Sequence, residues 1–201
     1  MTNKTKPRMH SARHVFRFSS KKNNGVNVLE SYLELTYALM FSCDPNIKSF
    51  GSQTESMHCD YNGKRCRYTP DFLVSYIDGT FEFIEVHPTE FITEEFRQRL
   101  DHFNEYSVAE SGIPIVLKTD EGLHRMLRVN YQLIASECDI FLNDNISIPD
   151  LPLSITLSGL IDHVSTFNNR PIAQAYTIVG QGHYEFDMTK LLSADTQLSK
   201  N

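Results

Sequence analysis

The sequence predicts an α/β fold: a mixed sheet flanked by helices, followed by a smaller C-terminal module. Three observations lead there. An apolar stretch of helix length is followed by short extended segments separated by turn signals. A charged helix, a buried strand and another helix come next, and the composition changes near residue 145. A chain of 201 residues has room for one core of about 120 to 130 residues plus a small accessory domain. The boundaries expected are a basic arm over 1–24, a core domain over 25–144 and a C-terminal domain over 145–201. Apolar residues make up 40% of the chain, enough to bury a core, yet no apolar run approaches the roughly 20 residues needed to cross a bilayer. The opening MTNKTKPRMH is polar and basic with no apolar segment, so a cytoplasmic location is expected.

The net charge of −6 hides an asymmetry. Seven of the 19 Lys and Arg residues fall in the first 22 positions, where there is no acid. A basic arm on an acidic body suits a segment laid against phosphates. Arg13, Arg17, Lys21 and Lys22 are its candidate phosphate contacts, joined by Arg65 and Arg67 further on; such contacts position a duplex without reading its sequence.

Residues 28 to about 42, VLESYLELTYALMFS, are apolar almost all round and stop at Asp44-Pro45, which predicts a buried helix. On that helix Glu30 and Glu34 are one turn apart and share a face. A carboxylate in such surroundings needs a partner, and a metal ion is a suitable one. Extended pieces follow over 47–50 and 53–60, then the Asn62-Gly63 hairpin signal and a strand over 65–68. Strands over 71–77 and 80–87 flank the Asp78-Gly79 turn, and Pro88 closes the second. A helix is expected over 90–111, with Phe91, Phe96, Leu100 and Phe103 available for packing, then a buried strand over 113–117 and a helix over 121–135. Beyond the linker NISIPDLP come two short helices, over 155–163 and 170–179, and a strand over 183–187. Two helices, a turn and a small hairpin suggest a winged-helix-like module. Cys43, Cys59, Cys66 and Cys138 have no CxxC spacing and are expected as free thiols, Cys59 and Cys66 facing each other across the hairpin.

The chemistry concentrates in Arg67-Tyr68-Thr69-Pro70-Asp71-Phe72 and, fourteen residues after the aspartate, Glu85-Val86-His87. Two carboxylates at the ends of paired strands can hold Mg²⁺, which polarises a phosphate and lowers the pKa of an attacking water. Strand parity sets a condition. A two-residue turn pairing Ile77 with Thr80 places Asp71 opposite Val86 and sends Glu85 to the other face. One extra residue, most simply a three-residue loop with Gly79 or Thr80 in a bulge, restores the shared face, with Asp71 opposite His87. His87 serves there as base or as charge stabiliser.

With these residues in place, the chain resembles TnsA, the endonuclease subunit of heteromeric transposases. Ser31-Tyr32-Leu33-Glu34 and Asp44-Pro45 match the family's first helix. Phe50 and Gln53, Tyr68 to Phe72, and Glu85-Val86-His87 match its later motifs, histidine replacing the lysine of a PD-(D/E)xK pattern. The resemblance implies a restriction-endonuclease-like core and a winged-helix-like C-terminal domain. It also implies Mg²⁺, with Mn²⁺ as substitute, held by Glu34, Asp71, Glu85 and the Val86 carbonyl, with Glu30 in reserve for Glu34. The implied activity is cutting the 5′ strands at transposon ends, beside a TnsB-like DDE transposase that cuts and joins the 3′ ends. The stretches 175–182 and 192–196 resemble the part of the family that contacts a TnsC-like ATPase.

Overall fold

The computed structural model describes residues 15–23, 25–53, 55–138 and 141–201; Arg13 lies outside them. Its centre is a four-stranded mixed sheet. β3 (Ile47–Ser52), β6 (Phe72–Tyr76) and β7 (Phe81–Val86) are antiparallel neighbours, and β8 (Ile115–Lys118) runs parallel to β7. Alternation along the strands gives the sheet two apolar faces. Phe50, Phe72, Val74, Ile84 and Val86 pack beneath α1 (Tyr32–Cys43), where Phe41, Phe50 and Phe72 meet edge to face with ring centroids 5.4 to 6.3 Å apart. Leu73, Phe83, Ile115 and Leu117 face α2 (Glu94–Ser111). Ile84, fully buried in the first of these layers, gives a calibration: Ile84→Val is expected to lower the free energy of urea unfolding by about 1 kcal/mol.

The helix expected over 28–42 begins later. Val28 and Leu29 belong to β2 (Val26–Leu29), which pairs with β1 (Phe16–Ser19) of the basic segment. Ser31 caps α1, its Oγ accepting from the Glu34 N–H at 3.0 Å. Glu30 therefore precedes the helix, and its shared helical face with Glu34 is not formed. The end at Asp44 is as expected. Similarly α2 starts after its cap Thr93, because Thr89–Phe91 form a separate 3-10 turn that leaves Phe91 exposed instead of packed. Gly112 ends α2 at φ 74°, a conformation that glycine adopts without a Cβ clash.

β4 (Met57–Tyr61) and β5 (Lys64–Tyr68) form a separate hairpin. Asn62 and Gly63, with φ 51° and 73°, make its two-residue turn. Cys59 is opposite Cys66 as expected, and none of the four cysteines is in a disulfide. The hairpin's inner residues Met57, Cys59, Cys66 and Tyr68 join the layer against α2.

α3 (Arg125–Glu137), capped by His124, leads to the C-terminal part. There β9 (Ser154–Thr156), α4 (Leu157–Ser165), α5 (Pro171–Gly180), β10 (Tyr184–Glu185) and β11 (Gln197–Lys200) follow in order. The three strands form one antiparallel sheet with β11 in the middle, one strand more than the small hairpin expected. Ile134 and Cys138 share a core with Leu157, Leu160, Ile178, Tyr184 and Leu198, so this core reaches back ahead of residue 145. Among the described residues no helix is long and apolar enough to cross a membrane.

Candidate functional site

The β6–β7 hairpin decides whether Asp71 and Glu85 can cooperate. Its loop is Ile77-Asp78-Gly79: the Tyr76 N–H donates to the Thr80 carbonyl at 2.9 Å, and Gly79 takes φ 89°. The Asp78 carboxylate accepts from the Thr80 N–H and hydroxyl and pins the turn. The extra loop residue required for a shared face is thus present. The register differs from the one expected, because Phe72 pairs with Ile84. Extending that ladder by one step puts Asp71 opposite Glu85, not His87. Both carboxylates then share the face of Leu73 and Phe83, toward α2.

Each acid is held by one oxygen. The Val86 N–H donates to Asp71 Oδ2 at 2.7 Å. The Tyr68 hydroxyl donates to Glu85 Oε2 at 2.6 Å, and the Tyr68 ring stacks on Phe103 of α2 at 4.7 Å. Glu34 Oε2 accepts from the Glu30 N–H at 2.8 Å, while the Ser31 hydroxyl accepts from the Glu34 N–H. The Ser-x-x-Glu spacing thereby works as a variant of the helix-capping box, a role that requires no metal. Glu34 is buried, at the start of a helix packed on the opposite face of the sheet from Asp71 and Glu85.

Burial and the negative charges of Glu85, Glu34 and Glu30 push the Asp71 carboxyl up to about 8, against the opposing pull of the Val86 N–H. Burial also raises Glu85, opposed by the Tyr68 hydroxyl and by the nearby Arg99 guanidinium. The same neighbourhood, burial first and then Glu85, pushes Tyr68 far up, so its hydroxyl stays a proton donor. Crowded, half-desolvated carboxylates with only oxygen donors are the chemistry that a hard divalent cation neutralises. Among the described residues no three His, Cys, Asp or Glu side chains form a group able to hold a metal ion. Mg²⁺ is commonly held by one or two carboxylates and several waters, so the Asp71–Glu85 pair fits it without a third side chain.

His87 continues the β7 ladder, its N–H donating to the Lys118 carbonyl at 2.9 Å. Its ring lies flat on Phe96 of α2, centroids 4.1 Å apart and planes 16° apart. Val86 is buried. Arg17, Arg65 and Arg67 are exposed on β1 and β5, with Arg67 Nε donating to Ser56 Oγ. Of Lys21 and Lys22, expected as phosphate contacts, Lys22 is half-buried and Lys21 is exposed. The Lys22 ammonium donates to the carbonyls of Phe41 and Asp44 at the end of α1, and Lys21 to that of Cys138 at the end of α3. Helix C-termini leave carbonyls unpaired and carry partial negative charge, which attracts these two cations.

A cavity of about 750 Å³ opens between the ends of α1, α3 and α5, and none of the four acids or His87 lines it. A carboxylate pair at a sheet end can meet a large ligand on an open surface, so its absence from this cavity's lining does not count against it. The sequence reading missed Arg99. It is one of several charges on an exposed helix, and only its i, i+4 spacing to Phe103 hinted at a defined position. Arg99 Cζ lies 5.7 Å from the Phe103 ring centre, and Nη2 reaches the Arg67 carbonyl at 3.4 Å.

Residues 44–120 match the family model described as TnsA-like endonuclease N terminal. The match takes in Asp71, Glu85 and His87 and leaves out Glu34 and all of the C-terminal core. No curated protein matches the chain.

Proposed function

We propose, on the match of residues 44–120 to the TnsA-like endonuclease N-terminal model, that the protein is the Mg²⁺-dependent DNA endonuclease subunit of a heteromeric transposase, cutting the 5′ strands at transposon ends. The observation that carries this reading is the pair Asp71 and Glu85, directly opposite each other across β6 and β7, each with one oxygen held and one available.

Asp71 and Glu85 would hold the metal, with the Val86 carbonyl as a backbone ligand. Glu34, at the start of α1 with one oxygen outside its capping bond, would join them only by moving toward the pair, and Glu30, ahead of the helix, is the alternative. Bound there, Mg²⁺ supplies charge for the phosphate and acidifies a water. The Val86 N–H and the Tyr68 hydroxyl fix the orientation of the two acids before substrate arrives, which spares reorganisation during the reaction. His87, anchored on Phe96, is a proton acceptor or charge stabiliser beside them. Exposed Arg17, Arg65 and Arg67 contact phosphates.

A TnsB-like DDE transposase is the partner for 3′-strand chemistry and end recognition, and a TnsC-like ATPase is the second partner. In the C-terminal part, α3, β9, α4, α5, β10 and β11 follow the order of a winged helix, with α3 as its first helix. Within 175–182, Ala175, Ile178 and Val179 are core residues, so an ATPase contact there would use neighbours such as exposed Gly182 and the 193–195 loop.

The test is incubation with the TnsB-like partner and labelled transposon-end DNA in Mg²⁺ or Mn²⁺. Wild type is expected to cut the 5′ strand, and Asp71→Ala to bind the same DNA and partner without cutting. If only His87→Lys cuts, or no form cuts while DNA and partners bind, the natural protein is an architectural subunit and the nuclease reading fails.

A further inference from the structure

α2 meets the end of the sheet through three side chains spaced three and four residues apart, Phe96, Arg99 and Phe103, which therefore share one helix face. Phe96 carries the His87 ring and Phe103 carries the Tyr68 ring. Tyr68 is bonded to Glu85, and His87 is two residues beyond Glu85 on the same strand face. The two stacked pairs bracket Glu85, and Arg99 lies between them along the helix. Its guanidinium is steadied at 5.7 Å from the Phe103 ring centre and by its contact with the Arg67 carbonyl, and the side chain is exposed to an approaching ligand.

We propose that Arg99, projecting from α2 between the His87–Phe96 and Tyr68–Phe103 stacks, is the cation of this site that binds the phosphate being cut. The proposal rests on the nuclease reading and assigns the positive charge of that reaction to a helix residue. Arginine suits the role: its fork matches two phosphate oxygens and it stays protonated at every working pH. It cannot serve as the base, which leaves proton transfer to His87 or to solvent. His87, its ring stacked on Phe96, is held beside the acids for that proton transfer. Arg67, whose carbonyl Arg99 touches, extends the positive surface along β5 toward the flanking phosphates.

The experiment compares single-turnover cutting of the 5′ strand by wild type, Arg99→Ala and Arg99→Lys in the presence of the TnsB-like partner, with Mg²⁺-induced thermal stabilisation measured on each. Losing one charge-stabilising donor costs about 10²- to 10³-fold in rate, so Arg99→Ala is expected to slow by that factor. Arg99→Lys should recover part of the loss, and added guanidinium should recover part of it in Arg99→Ala alone. Stabilisation by Mg²⁺ should persist in all three, since the metal-holding acids are untouched. Rescue by guanidinium separates a role toward phosphate from a structural one, which a small cation does not repair. The inference is overturned alone if wild type cuts and Arg99→Ala cuts within about threefold of it. It is overturned together with the nuclease reading if wild type neither cuts nor gains stability with Mg²⁺.

Discussion

Asp71→Asn is expected to make the metal-free protein more stable at pH 8 than wild type and to abolish its stabilisation by Mg²⁺. In the unfolded chain an aspartate titrates near 4, whereas Asp71 in the fold is pushed up to about 8 by burial and by Glu85, Glu34 and Glu30. The folded state therefore holds this proton more tightly than the unfolded state. The stability contributed by protonated Asp71 is fully present below the unfolded value and is lost as pH rises through about 8. Between those limits the metal-free wild type should lose on the order of a few kcal/mol from this residue. The asparagine variant has no proton to lose at this position and should leave the profile flatter over the same window. A divalent cation replaces the proton as the source of positive charge, so its effect should grow with pH. At a hundredfold excess over its dissociation constant it would add about 2.7 kcal/mol. Thermal unfolding of both proteins at pH 5 and pH 8, with and without Mg²⁺, checks all four corners. Equal Mg²⁺ shifts in wild type and Asp71→Asn would remove Asp71 from the metal site.

The parts of this site that local rules govern were legible in the sequence. The Asn62-Gly63 turn, the Pro70-Asp71 strand entry and the stop at Asp44 follow from backbone preferences of a few residues, and each lies where those preferences put it. Parity gave the need for an extra loop residue before β7. The register was not accessible, because one added residue moves the partner of Asp71 by one position in either direction, from Val86 to Glu85 or to His87, and parity accepts both. Long-range pairing was hidden as well. Val28 and Leu29 look like the start of an apolar helix until β1 pairs with them, and the Ser31-x-x-Glu34 capping signal is what separates strand from helix.

Lys22, half-buried at the end of α1, illustrates the limit of charge patterning. Seven cations without an acid read as a phosphate-binding arm, yet two of them end on the carbonyls of α1 and α3, distant in sequence. Arg99 shows the opposite error. A charged helix reads as a solvated face, and the value of one position emerges only when Tyr68 and His87, from two different strands, are seen stacked on either side of it.

Asn130→Ala should cost about 3 kcal/mol or more of unfolding free energy, a large effect for one polar side chain. Asn130 is fully buried on α3. Its Nδ2 donates to the carbonyls of Met188 at 3.2 Å and Lys190 at 2.8 Å, and its Oδ1 accepts from the Leu192 N–H at 2.9 Å. One amide thus serves three backbone groups of the loop between β10 and β11. Each group left buried without a partner costs about 1 to 3 kcal/mol, and alanine leaves all three. Asn130→Asp should be at least as damaging, since it keeps the acceptor, loses both donors and buries a charge. The damage should not stay in the C-terminal part. Gly180 brings α5 so close to α3 that an added Cβ would lie 2.8 Å from Ile134 Cγ2, and Cys43 at the end of α1 packs into the same core. α1 carries Glu34 at its other end and roofs the sheet that bears Asp71 and Glu85. The two cores should therefore melt in a single transition, with Asn130→Ala lowering its midpoint and leaving the Mg²⁺ shift intact below it. Urea titration followed by tyrosine fluorescence and by amide exchange at residues 188–192 distinguishes this from local fraying, in which exchange would rise at the loop while the global midpoint stayed put.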